Sequence, residues 1–149
     1  MANNLVYRND DEKNRVQTLA ATYGPGQPVI SLDSKPAVTV TGSGDYVLPN
    51  ETSFYAPATI SGVPAGGVGL TGKQVTLAFD GTWEFLASGF DTTPPDPTSI
   101  VNGTAINFKT SNGKLTTAAV TGGIVAWGTV DFPPGYNKTR GFVPVKVGV

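Results

Sequence analysis

Val75-Thr76-Leu77-Ala78-Phe79-Asp80-Gly81-Thr82-Trp83-Glu84-Phe85-Leu86 decides the fold class. Apolar residues alternate at Val75, Leu77 and Phe79, a turn signal interrupts, and alternation resumes with Trp83 and Phe85. Period two is the signature of a strand buried on one face. A two-residue turn at Asp80-Gly81 would set Trp83 on the opposite face from Phe79. A three-residue loop or glycine bulge instead pairs Phe79 with Trp83 and Leu77 with Phe85. The second register keeps the apolar set together and is the expected one.

Further along, Ala105-Ile106-Asn107-Phe108-Lys109-Thr110 and Leu115-Thr116-Thr117-Ala118 flank Asn112-Gly113, a strong local hairpin signal. A two-residue register sets Thr110 against Leu115 and Phe108 against Thr117, with Ile106, Phe108 and Leu115 on one face. Gly123 to Phe132 and Phe142 to Val147 read as two more strands joined across Pro133-Pro134-Gly135. Toward the N-terminus, Val29-Ile30-Ser31-Leu32, Ala37-Val38-Thr39-Val40-Thr41 and Tyr46-Val47-Leu48 read as short strands between turn clusters. Pro49, Pro57 and Pro64 argue against central strands up to Gly72, and Phe90 to Ser99 is an extended proline loop. The one helical possibility is a turn around Val16 to Ala21.

The expected architecture is therefore all-β: one compact, small β-barrel or β-sandwich-like domain over residues 16–149 with long Pro/Gly-rich loops. Its 149 residues, with 19 glycines, 12 prolines and 39% hydrophobic content, suit short strands around a packed core. Residues 1–15 differ. The charged run from Asn9 to Arg15 cannot bury itself, so this stretch reads as a free N-terminal arm with one β-prone group, Leu5-Val6-Tyr7.

Composition removes several kinds of chemistry. There is no Cys and no His, which excludes disulfides, thiolate nucleophiles and the side chain most used as a base near neutral pH. A net charge of −1 with no basic block argues against nucleic acid as a partner. No signal layout or apolar run long enough to span a bilayer is apparent, so synthesis in a cytoplasm and no membrane partner are expected.

Candidate sites are few. Gly67 to Lys73 approaches a phosphate-binding loop, but Gln74 stands at the hydroxyl position and a strand follows where a helix is required. Asp80 with Glu84, and Asp91 with Asp96, are the carboxylate pairs that would have to serve a glycosidase. Asp80 suits its turn, and Glu84 is expected on the solvent face. Asp10-Asp11-Glu12 lies beside Lys13 and Arg15 and reads as a solvated charge run rather than a calcium site. The sequons at Asn50, Asn102 and Asn137 carry little weight in a threonine-rich chain. No catalytic, metal or cofactor site is expected, and the chain is read as a non-enzyme. Trp83 and Trp127 each sit on an alternating strand and read as core or interface; otherwise they, or the Tyr46–Tyr55 loop, would be the platform of a carbohydrate-binding module, the main alternative.

The segment from Gly72 to Phe85 resembles a recurrent V-x-L-x-x-x-G-x-[aromatic]-x-[aromatic or Leu] string of tailed-phage head decoration proteins. Gly26-Gln27-Pro28-Val29, Gly103 to Phe108, the Thr110–Thr117 hairpin, and the pair Gly123–Gly128 with Val143–Val147 follow the family's order. A longer stretch from Asp33 to Pro57 and the loop near Phe90 depart from its shorter pattern. The resemblance implies a homotrimer on the outer capsid surface of a virion, clamping neighbouring major capsid subunits. It casts Asn3, Leu5, Val6, Tyr7 and Arg8 as the arm that meets the coat by strand addition. A tail or fibre component is the other structural alternative.

Overall fold

The computed structural model describes residues 5–7, 14–46, 51–52, 59–60 and 70–148. Among them the strands are β1 (Leu5–Tyr7), β2 (Asn14–Thr18), β3 (Pro28–Ile30), β4 (Pro36–Thr39), β5 (Glu51–Thr52) and β6 (Thr59–Ile60). They continue with β7 (Gln74–Ala78), β8 (Thr82–Leu86), β9 (Ala105–Lys109), β10 (Lys114–Thr116), β11 (Ile124–Val130) and β12 (Phe142–Val147). The helical elements among the described residues are two 3₁₀ turns, Ala87–Gly89 and Lys138–Arg140. The protein is all-β, as its alternation requires.

The strands form a six-stranded sheet, β1-β8-β12-β11-β9-β10, a four-stranded sheet, β2-β7-β4-β3, and a small β5-β6 ribbon. Every pairing is antiparallel. The larger sheet is curled. A flat sheet would separate β8 from β10 by about 19 Å, four strand spacings. Yet the link from Leu86 to Asp91, which contains a 3₁₀ turn and reaches about 13 Å, brings the Asp91 N–H to within 2.8 Å of the Leu115 carbonyl.

The sequence-based pairing of Val75–Phe79 with Trp83–Leu86 does not occur. β7 has β2 on one side and β4 on the other, so both of its edges are occupied. At Asp80-Gly81 the chain turns a corner into the other sheet instead. Gly81 takes φ 90° there, a conformation that costs a side-chain-bearing residue about 1–2 kcal/mol. The Trp83 indole N–H donates to the Asp80 carbonyl at 2.9 Å and fixes the corner.

The other hairpin exists in a different register. Lys109 faces Lys114, Phe108 faces Leu115 and Asn107 faces Thr116, leaving a four-residue connection, Thr110–Gly113. Thr110 is drawn off the ladder, because its N–H donates to the Gly123 carbonyl, while the Gly113 N–H closes the turn on Lys109. The expected shared face of Ile106, Phe108 and Leu115 holds, and all three are buried. The turn anticipated around Val16 is strand β2, and β2 begins at Asn14, ahead of the expected domain boundary. β12 spans Phe142–Val147 as read, and β11 occupies the middle of Gly123–Phe132. Tyr46 lies outside any strand, and Val47 and Leu48 lie outside the described residues.

The central strands of the four-stranded sheet, β4 and β7, are buried on both faces. Val38 and Ala78 join the larger core with Trp83, Trp127, Ile106, Val143 and Val145. Their neighbours Ala37 and Leu77 point the other way, into a smaller cluster with Leu19, Val29 and Val75. The Trp127 indole N–H donates to the Val29 carbonyl at 3.1 Å, tying the sheets together. A fully buried indole, removing some 150–250 Å² from water, contributes about 4–6 kcal/mol.

Candidate interaction surfaces

The stretch read as a free arm is, over Leu5–Tyr7, a strand of the protein's own sheet. Leu5 lies opposite Trp83 and Tyr7 opposite Thr82, with an irregularity between them. β1 is the terminal strand, with no further strand beyond it among the described residues. Its outer edge is thus where an additional strand would pair. Asn3 and Arg8 lie outside the described residues. At the opposite edge, β10 is already engaged along part of its length by the Asp91 N–H.

The mouth of the curled sheet is apolar. Pro28, Phe85, Leu86, Phe90 and Leu115 line a groove of about 160 Å³ there. Phe85 meets Trp127 edge to face, with ring centroids 5.5 Å apart, and Leu86 is 50% exposed.

Both tryptophans are interior, Trp83 at 1% exposure and Trp127 at 0%. Neither can offer a ring face to a sugar, which removes the platform that the carbohydrate-binding alternative placed on them. Tyr46 is half-buried against Gly24, where an added Cβ would meet its ring, and Tyr55 lies outside the described residues.

Three of the carboxylates considered for acid–base work, Glu84, Asp91 and Asp96, serve as structural anchors. Glu84 is on the outer sheet face, as its place between Trp83 and Phe85 requires, but it is covered rather than solvated. It accepts from the Tyr136 hydroxyl at 2.5 Å and from both terminal nitrogens of Arg140, at 3.1 and 3.2 Å. Burial, reinforced by that hydrogen bond, raises the Tyr136 pKa above the usual phenol value, and the carboxylate raises that of Arg140. Arg140 also stacks over the Phe142 ring, so the β11–β12 connection is fastened down over β8 and β12.

Asp91 closes a second clamp. It accepts from Thr92 Oγ1 at 2.5 Å, Lys109 Nζ at 3.0 Å and Asn112 Nδ2 at 2.6 Å, which joins the proline loop to the β9–β10 turn. The Thr92 hydroxyl first, then Lys109 and Asn112, hold its carboxyl down at about 2. Thr92 itself adopts φ 64°, strained for a β-branched residue. Asp96 is occupied elsewhere, with the Thr98 N–H and hydroxyl, so it forms no pair with Asp91. A third clamp sets Arg15 and Lys35 around Asp33, whose carboxyl is lowered mainly by the Ser31 hydroxyl.

Of the phosphate-loop lookalike, Gly67–Gly69 lie outside the described residues. Lys73 donates to the Ala20 carbonyl, and Gln74 enters β7 as its sequence indicates. No cluster of acidic residues suited to a metal ion occurs among the described residues. Asp10-Asp11-Glu12 lie outside them. No described helix is long and apolar enough to cross a membrane.

Sequence reasoning missed Tyr136, Arg140, Lys109 and Asn112 as partners of these carboxylates. Their contacts join positions 18 to 56 residues apart, and no local pattern carries that information. A scan against family models, a search of curated proteins and a search of solved structures each return no match.

Proposed function

We propose that this protein is a structural virion component that sits on the outer surface of a tailed-phage capsid as a homotrimer and clamps neighbouring major capsid subunits. The observation that carries this reading is the outer edge of β1, which ends the six-stranded sheet with no further strand beyond it among the described residues. A coat-protein strand added there would gain main-chain hydrogen bonds without any special side-chain chemistry. Three such edges on one rigid trimer would bind with avidity beyond that of any single edge. The ordered resemblance between Gly26 and Val147 supports the same reading. So does the use of Glu84, Asp91 and Asp33 as clamps between segments, which suits a part that holds rather than reacts.

Light scattering behind a sizing column should give a mass near three chains of 15.4 kDa each. Co-sedimentation with undecorated heads, and separately with tails, of the phage that carries the gene then tests the partner. Binding to heads, weakened by removing residues 2–7 while the domain stays folded, is the expected result. Full binding by the shortened protein would reject the β1 edge as the contact. Binding to tails alone would reassign the protein to the tail or fibre, and binding to neither would overturn the reading.

A further inference from the structure

Asparagine followed by glycine deamidates readily, because glycine has no Cβ to hinder attack of its nitrogen on the asparagine Cγ. The chain has two such pairs, Asn102-Gly103 and Asn112-Gly113, and both asparagines are exposed. The fold holds both, in different ways.

Asn102 is fixed by backbone alone. Its Oδ1 accepts from the Phe132 N–H at 2.6 Å and its Nδ2 donates to the Phe132 carbonyl at 3.2 Å. The nitrogen that would attack, that of Gly103, donates to the Val130 carbonyl at 2.9 Å. At Asn112 the attacking Gly113 nitrogen is likewise engaged, on the Lys109 carbonyl, and Oδ1 accepts from the Lys114 N–H at 3.1 Å. The amide nitrogen, however, is held by a side chain on another loop, Asp91 Oδ1 at 2.6 Å. The orientation of Asn112 is unambiguous, since a carboxylate only accepts and a backbone N–H only donates.

We propose that Asn112 is a latent deamidation site of the folded protein, and that Asp91 is the latch that keeps it slow. In the reaction the Gly113 nitrogen loses its proton and bonds to Asn112 Cγ. Nδ2 leaves as ammonia, and the resulting succinimide adds one water to give aspartate or isoaspartate. The consequence is specific to this corner. The product loses the donor that Asp91 held and sets a second carboxylate against it, with Lys109 Nζ beside Asp91 to offset part of the charge. The contact between the proline loop and the β9–β10 turn then weakens, so conversion of Asn112 loosens one defined edge of the domain.

The test is peptide mapping by mass spectrometry after prolonged incubation at neutral to mildly alkaline pH. It compares native protein, protein in urea, and native Asp91→Ala and Asp91→Asn variants whose folding is checked by thermal melting. In urea both Asn102 and Asn112 should convert. In the native protein Asn112 should convert more slowly than in urea, and Asn102 should stay intact. Asp91→Ala should speed Asn112 several-fold and leave Asn102 unchanged, whereas Asp91→Asn, which keeps an acceptor oxygen, should restore most of the protection. Equal Asn112 rates in native protein and in urea would overturn the proposal without any variant. An Asp91→Ala rate equal to the wild-type rate, or native conversion of Asn102 ahead of Asn112, would overturn it as well.

Discussion

The twelve residues from Val75 to Leu86 serve two different cores. Val75 and Leu77 lie in the smaller cluster with Leu19, Val29 and Ala37, while Trp83 belongs to the larger one with Trp127, Ile106, Val143 and Val145. The larger core lies between two sheets and holds two complete indoles. The smaller lies on the far face of the four-stranded sheet; its buried members are aliphatic, with Tyr23 and Phe79 packed against them. Alternation in a sequence reports which residues share a face of their own strand. It carries no information about which layer that face meets, because a corner of two residues can redirect the chain to another sheet.

Truncating the larger core should have the greatest effect. Trp127→Ala removes a side chain at 0% exposure and also the indole bond to the Val29 carbonyl, and should cost about 3–5 kcal/mol in urea unfolding. Leu77→Ala, equally buried in the smaller cluster, should cost about 2–4 kcal/mol. Because β4 and β7 contribute to both clusters, each variant should still unfold in one transition. Two separate transitions for Leu77→Ala would break the comparison by showing that the smaller core melts alone.

The corner itself comes next. Gly81 is buried at φ 90° and its carbonyl accepts from the Val147 N–H. Gly81→Val forces a β-branched side chain into the left-handed region and should cost about 1–3 kcal/mol. Gly72→Val, at φ 54° with open space where its Cβ would stand, should cost less. Equal costs would mean that strain alone matters and that the packing between the two cores does not.

How much of this was legible follows from the range of each interaction. Strand identity came from neighbours two residues apart, so β7, β8, β9 and β12 were readable from alternation, and so was the shared face of Ile106, Phe108 and Leu115. Pairing was not. Phe79 and Trp83 look like hairpin partners until β2 and β4 are known to fill both edges of β7, a fact carried by residues 14–18 and 36–39. Thr110 was read as the end of a ladder because its partner, the Gly123 carbonyl, lies beyond the hairpin. Glu84 was correctly set on the outer face, but the Tyr136 and Arg140 that cover it lie over fifty residues downstream. The place of each tryptophan on an alternating strand favoured core or interface over platform, and both are core, although alternation alone could not exclude a sugar-binding face.

The surface clamps extend the comparison to smaller energies. Tyr136→Phe deletes one hydrogen bond to a carboxylate that keeps its two contacts with Arg140, and should cost about 1.5 kcal/mol. A null effect would mean that the loop over β8 and β12 is held by Arg140 and ring packing alone.

The smallest effect, at Asp91, is also the most diagnostic, because it carries a pH signature that no apolar contact can imitate. Its carboxyl sits at about 2 in the folded protein, below the unfolded value of about 3.9, because Thr92, Lys109 and Asn112 all stabilise the charged form. A lowered folded pKa contributes stability that is fully present above the unfolded value and is lost as the pH falls through the folded one. Wild type should therefore exceed Asp91→Asn by a constant margin from neutrality down to about pH 4. That margin should shrink between about pH 4 and pH 2 and vanish below. Asp33 and Asp96 are lowered as well, so wild type loses stability from several groups over this range, and only the difference between the two proteins isolates Asp91. Urea midpoints measured at closely spaced pH values supply that difference. A margin that stays unchanged between pH 4 and pH 2 would show that the clamp is held by shape rather than by charge, and would make Asp91 resemble the cores after all.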